Sequence, residues 1–224
     1  MNIQSNVLKH YLKNVYFITG TAYAGKSTVV SMLAEKYGML HCGENYHMAA
    51  SDAVATPKTH PDLCYNKSLT DWKDFVKRPP EEYERWIYGA GREAAEFEIA
   101  ELISISKDKK VIVDTNIPLE VLREISDYAR VAVMLCPQSM SVDRFFDRTD
   151  PEKQFLLKVI ESCENPEAVM ENYRKGLELI NSKEHYEEYL NSGFFTVIRE
   201  DNGIDTREEV CTKIAKHFGL EAEN

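Results

Sequence analysis

Residues 20–28 read Gly20-Thr21-Ala22-Tyr23-Ala24-Gly25-Lys26-Ser27-Thr28 and follow the apolar run Val15-Tyr16-Phe17-Ile18. The first eight match G-x-x-x-x-G-K-[ST] in full. Each fixed position has a physical task. Gly20 and Gly25 permit backbone turns that aim successive N–H groups at phosphate oxygens. Lys26 reaches β- and γ-phosphates, and the Ser27 hydroxyl ligates Mg²⁺. Thr28 adds a hydroxyl near the α-phosphate, while the N-terminus of a following helix supplies positive potential. The motif functions only between a strand and a helix. Here a buried strand ends at Thr19–Gly20, and Ser27 to Tyr37 suits a helix stopped by Gly38. The loop from Gly20 to Thr28, with Thr21, Ala22, Tyr23 and Ala24 as its backbone, therefore implies a bound nucleoside triphosphate and Mg²⁺.

Outward from the loop, short apolar runs alternate with helical stretches. Met39 to Cys42 reads as a second strand, Val111 to Asp114 as the clearest one, and Val131 to Leu135 and Phe194 to Ile198 as two more. A long helix is predicted from Pro80–Glu81 to Ser106, with Trp86, Ile87, Ala90, Ala94, Phe97 and Leu102 as its buried stripe. Further helices are predicted over Leu119 to Ala129, Ser139 to Asp147, Glu152 to Cys163, Pro166 to Leu190 and Thr206 to Phe218. Residues 43–80, with four prolines, look irregular. The alternation predicts an α/β fold with a parallel sheet covered by helices on both faces. No linker divides the chain, so one domain over 1–224 is expected, with an insert at 45–109 and a lid at about 139–165.

Composition narrows the function classes. The apolar fraction of 43% and charged fraction of 29% fit a globular protein rather than a disordered one. A formal charge of −10 disfavours a general nucleic-acid or anionic-membrane binder. No apolar run is long enough to span a membrane, and the N-terminus lacks the apolar core of a secretory signal. Five scattered cysteines without a Cys-x-x-Cys pair point to reduced thiols and a cytoplasmic location.

Several residues outside the loop are candidates. Asp114 ends an apolar strand and is placed to hold Mg²⁺ through water or to accept a proton from an attacking hydroxyl. The alternative is a turn or capping aspartate in Asp114-Thr115-Asn116. Glu44, after the second strand, falls at the same sheet edge and is a candidate base, or else a solvated loop glutamate. Arg144 and Arg148 are four apart and would share a helix face. They would neutralise a transferring phosphoryl group, or form surface pairs with Asp143, Asp147 and Asp150. Arg78 and Arg92 could bind an anionic substrate, with Glu93 and Glu96 as ordinary partners for Arg92.

At these residues the chain resembles the P-loop nucleoside, nucleotide and shikimate kinase-like group. The loop 20–28 after a strand, Glu44, Val111 to Asp114 and the Arg144/Arg148 pair carry the resemblance. It implies a three-layer fold with a five-stranded parallel sheet of order 2-3-1-4-5, a mobile lid, and phosphoryl transfer from ATP. It also implies that the insert after Glu44 shapes an acceptor site. The chain departs from the shikimate kinases, which have Asp-x-Asp where Glu44-Asn45-Tyr46 stands and a glycine triplet where Asp114-Thr115-Asn116 stands. It matches the Asp-Gly-Phe-Pro-Arg of adenylate kinases only loosely, so neither shikimate nor a nucleoside monophosphate is indicated as acceptor. The leading expectation is a kinase acting on an unidentified small molecule. The alternative is a nucleotide-dependent regulator working through a protein partner.

Overall fold

The computed structural model describes residues 3–147 and 150–220. In chain order the elements are α1 (Ser5–Tyr11), β1 (Val15–Gly20), α2 (Lys26–Lys36), β2 (Leu40–Cys42), α3 (Met48–Val54), α4 (Tyr65–Ser68), α5 (Trp72–Val76), α6 (Pro80–Ile105), β3 (Val111–Asp114) and α7 (Leu119–Ile125). They continue with β4 (Val131–Leu135), α8 (Gln138–Asp143), α9 (Pro151–Glu161), α10 (Pro166–Ile180), α11 (Lys183–Leu190), β5 (Phe195–Ile198) and α12 (Arg207–His217). All five strands form one parallel sheet of order β2-β3-β1-β4-β5.

Alternation along each strand splits the core in two. Ile18, Ile112, Ala132 and Met134 face α2 and α12, packing on Val30, Leu33 and Ile214. Val15, Phe17, Val111, Val113 and Val131 face the other way, onto Leu102 of α6 and Leu119, Leu122 and Ile125 of α7. A sheet buried on both faces explains why the strands read as continuous apolar runs. Register then fixes the site. Ile18 pairs with Asp114, Gly20 with Met134, Cys42 with Val113 and Ile198 with Leu135. The residues that follow the strands therefore gather at one sheet edge.

The long helix runs as expected, from Pro80 at its first turn to Ile105, about 39 Å at the usual rise. Its second half packs on the sheet through Ala95 and Leu102, and its first half packs into a third apolar cluster through Tyr83. Phe75, Val76, Tyr83, Val142, Ile160, Tyr173 and Leu177 form that cluster with α5, α8, α9 and α10. Its tight point is Gly176 of α10, where a Cβ would lie 3.2 Å from the Tyr83 ring.

Some expectations need correction. The helix predicted over 139–147 ends at Asp143, and Arg144 caps it in a turn. The predicted 166–190 helix breaks at Asn181, and Ser182 caps α11 by accepting from His185 N–H. The stretch 43–80 holds three short helices, docked on α6 by Leu63 N–H to Glu93 at 2.8 Å and Trp86 Nε1 to the Asp62 carbonyl at 2.9 Å. The N-terminal helix α1 was not predicted at all; its Leu12 end is buried beside α7. Among the described residues, no helix is long and apolar enough to cross a membrane. All five cysteines are buried free thiols.

Candidate functional site

The loop between β1 and α2 is a cradle whose Ala22 and Tyr23 carbonyls are held by donors from outside the loop. Gly20 has φ +128°, and a Cβ there would sit 1.9 Å from the Met134 carbonyl oxygen. Gly25 has φ +93°, and Tyr23 is held at φ +68°, a left-handed conformation that costs a side-chain residue energy. The cost is borne because neighbouring groups fix the loop on all sides. Thr21 N–H reaches the Met134 carbonyl at 3.1 Å, and Cys136 N–H reaches Thr21 Oγ1 at 3.0 Å. Ser141 Oγ donates to the Ala22 carbonyl at 2.8 Å, and Arg199 Nη1 donates to the Tyr23 carbonyl at 3.1 Å. Pinning these carbonyls by donors keeps negative dipole ends off any phosphate held by the loop.

Three loop-side groups converge. Lys26 Nζ donates to the Thr21 carbonyl at 3.3 Å and stands 4.0 Å from Asp114 Oδ1. Ser27 Oγ donates to Asp114 Oδ2 at 2.5 Å, and Asp114 is 1% exposed. Thr28 lies exposed on the first turn of α2. A hydroxyl and a carboxylate side by side form a hard oxygen pair, the donor set Mg²⁺ takes while keeping water and phosphate as its other ligands. Among the described residues no three His, Cys, Asp or Glu side chains cluster as a metal cage.

The opposite bank is assembled from distant segments. Asn116 Nδ2 donates to exposed Glu44 Oε1 at 2.6 Å, so Glu44 stands at the sheet edge beside the turn after β3. Beneath it lies Glu98 of α6, 2% exposed, which accepts from Thr115 Oγ1 at 2.7 Å. Burial, aided by the charges of Glu44 and Asp114, pushes its carboxyl up to about 8 against the lowering effect of the Thr115 bond. Glu98 escaped sequence reading. Its only signal was spacing, since Ala94, Glu98 and Leu102 lie at intervals of four on the buried face of one helix. Arg199 escaped too, marked only by following the last strand.

The arginine expectations fare differently. Arg144 is exposed and forms a two-pronged pair with Asp201 at 2.9 and 3.0 Å, off any helix and with none of the three predicted aspartates. Asp143 pairs with Arg174 instead, and Asp150 caps α9. Arg148 lies outside the described residues. Arg92 is exposed and pairs with Glu120 at 3.0 Å rather than with Glu93 or Glu96. Arg78 is buried under the rings of Tyr65, Phe75 and Trp86, 4.2–4.6 Å from their centroids, in the third cluster rather than at the strand ends.

A parallel sheet of order 2-3-1-4-5 with this loop after β1 defines an α/β protein of the P-loop kinase fold. No family model matches the chain, and no curated protein matches it. Among solved structures it is similar to a dephospho-CoA kinase from Campylobacter jejuni, at 18% sequence identity and a TM-score of 0.38, over 91% of this chain and 96% of that one. The sheet order and the loop, rather than this loose likeness, define the class.

Proposed function

We propose that the chain is an ATP-dependent phosphotransferase that moves the γ-phosphoryl group of Mg-ATP to a small-molecule acceptor. The observation that carries this reading is the convergence of Lys26, Ser27 and Asp114 within 4.0 Å at the mouth of the loop. Lys26 draws β- and γ-phosphate charge toward a site that is mostly screened from water, where that attraction is strong. Ser27 and Asp114 would hold Mg²⁺. Once bound, the cation offsets charge on the phosphate oxygens and orients them. Glu44, exposed and steadied by the Asn116 carboxamide, orients the acceptor hydroxyl and takes its proton. The insert at 45–109 encloses the acceptor, and the segment at about 139–165 acts as the lid, with Arg144 exchanging Asp201 for phosphate on closure and Arg148 as the second phosphate-neutralising arginine of this reading. No nucleic acid or membrane takes part, and the protein works in the cytoplasm.

The test is ADP release from Mg-ATP, alone and against pooled nucleosides, sugars and hydroxy acids, with Lys26→Ala as the blank. At least one pool should raise turnover about tenfold or more over ATP alone, since lid closure excludes water from the transfer. ATP binding that Lys26→Ala abolishes, with no pool stimulating turnover, would overturn the kinase reading in favour of a nucleotide-dependent regulator.

A further inference from the structure

We infer that Glu98 is a positioning residue of the phosphate site: through Thr115 its carboxyl fixes the turn 114–117 and, with it, the Asp114 carboxylate against Ser27. The inference rests on the reading of the site given above.

Burying a carboxyl is costly unless something compensates, and a leucine would fill the same space without that cost. The chemical partner of Glu98 is not a cation but a hydroxyl, and that hydroxyl is fully committed. Thr115 Oγ1 donates to Glu98 Oε2 at 2.7 Å and accepts Ile117 N–H at 3.0 Å. Thr115 N–H in turn bonds the Ile18 carbonyl at 3.0 Å, extending the β1–β3 pairing one residue past Asp114. The turn is thus anchored to β1 by its backbone and to α6 by its side chain. Thr115 is wholly buried, so water cannot replace the bond to Glu98.

Glu98 also anchors the other bank. Its backbone carbonyl accepts from Tyr46 Oη at 2.9 Å, two residues beyond Glu44, while Glu44 accepts from Asn116 of the turn. One residue of α6 therefore ties the turn after β3 and the loop after β2 to the same rigid helix. The side chain governs the turn, and the main chain governs the loop. A side-chain substitution at 98 thus addresses the turn selectively and leaves the Gly20–Ser27 cradle untouched.

The experiment uses the full chain and reads binding rather than turnover. Calorimetry would measure the affinity for a non-hydrolysable ATP analogue with and without Mg²⁺, and amide exchange would follow Ile117, for the wild type, Glu98→Ala, Glu98→Gln, Thr115→Val and the Glu98→Ala/Thr115→Val pair. Glu98→Ala, which loses one buried hydrogen bond, should cut the Mg²⁺-dependent gain in affinity about tenfold, and Thr115→Val, which also takes the acceptor from Ile117 N–H, should cut it at least as much; both should speed Ile117 exchange. The double variant should be no worse than Thr115→Val alone, because that substitution already removes the link to Glu98. Glu98→Gln, whose amide oxygen accepts the same bond, should restore most of the gain. Magnesium-free affinity should stay within about threefold throughout, since the loop is intact.

An unchanged Mg²⁺-dependent gain in both single variants would overturn the inference, as would a Glu98→Gln variant as impaired as Glu98→Ala. Should Glu98→Ala fail to fold, the near-isosteric Thr115→Val carries the same test, with Thr115→Ser as its rescue. A wild type that binds the analogue but shows no acceptor-stimulated turnover would sink the kinase reading and leave this inference standing. A wild type that binds no nucleotide would sink both.

Discussion

The phosphate loop is made by nine consecutive residues, whereas the opposite bank draws Glu44, Asn116 and Glu98 from three segments brought together only by the sheet and α6. The first bank is stiff because its backbone has no alternative: a glycine without room for a Cβ, carbonyls pinned by Ser141 and Arg199, and a helix beginning at Lys26. The second depends on side-chain bonds a few ångströms long between elements far apart in sequence. The difference predicts where the chain tolerates change. Damage to the first bank should appear as lost folding or lost nucleotide, and damage to the second as lost Mg²⁺-dependent affinity or lost chemistry with the loop intact.

The largest contrast should come from two glycines. Gly20→Ala drives a Cβ into the Met134 carbonyl at a φ of +128°, where neither strand can yield without breaking the β1–β4 pairing. It should cost about 3 kcal/mol of stability in urea denaturation and abolish ATP binding. Gly43→Ala, beside Glu44 with nothing within 4 Å of the added carbon, should stay within about 1 kcal/mol of the wild type. Equal losses at the two positions would erase the distinction between the banks.

Next in size is the division of labour between carboxylates. Asp114→Asn should lower Mg-ATP turnover about 100-fold, because a buried, pre-aimed charge beside phosphate acts in low dielectric. Glu44→Gln should lower it about tenfold with ATP affinity preserved, since an exposed carboxylate is solvated. Steady-state kinetics with the stimulating acceptor measures both. A greater loss at Glu44 than at Asp114 would put the decisive chemistry on the acceptor bank.

How much of this was legible follows from the same contrast. The loop's conformation is set by near neighbours in the chain, so its place between β1 and α2 and the need for glycine at 20 and 25 could be read directly. So could the strand leading into Asp114 and the sheet order that the family likeness implied, which the structure bears out. Glu98 was not legible, because a glutamate in a helix is ordinarily a solvated one, and only tertiary packing turned this one inward. Arg144 shows the opposite failure. Helical spacing suggested a shared face with Arg148, but α8 stops at Asp143, and the partner Asp201 lies 57 residues away. Long-range pairing leaves no periodic trace.

A pH dependence sharpens the account of the second bank. The Glu98 carboxyl holds its proton to about pH 8 in the folded chain, against an ordinary value of 4.5. Its contribution to stability is therefore fully present below pH 4.5 and is lost as the pH rises toward 8. Glu98→Gln removes that proton. The stability of the wild type relative to the variant should fall between pH 6 and 7.5 by about 1–2 kcal/mol in paired urea titrations. A constant difference across that window would mean that Glu98 is already ionised in the folded chain.

The smallest effects test whether the lid-side arginines belong to either bank. Arg199 Nη1 touches the Tyr23 carbonyl, and its guanidinium lies 3.7 Å from where a Gly25 Cβ would stand, so it is part of the loop's outer wall. Arg199→Ala should weaken ATP binding about tenfold, as expected when a charged hydrogen bond steadying a strained turn is lost. Arg144 and Asp201 form a surface pair about half and a third exposed, so breaking it should change stability by no more than about 0.5 kcal/mol. Arg144→Ala should leave ATP affinity unchanged and act only on acceptor-stimulated turnover, because its proposed work begins when Asp201 is exchanged for phosphate. Were Arg144→Ala to weaken ATP binding as much as Arg199→Ala does, the lid turn would already form part of the nucleotide cradle before any acceptor arrives.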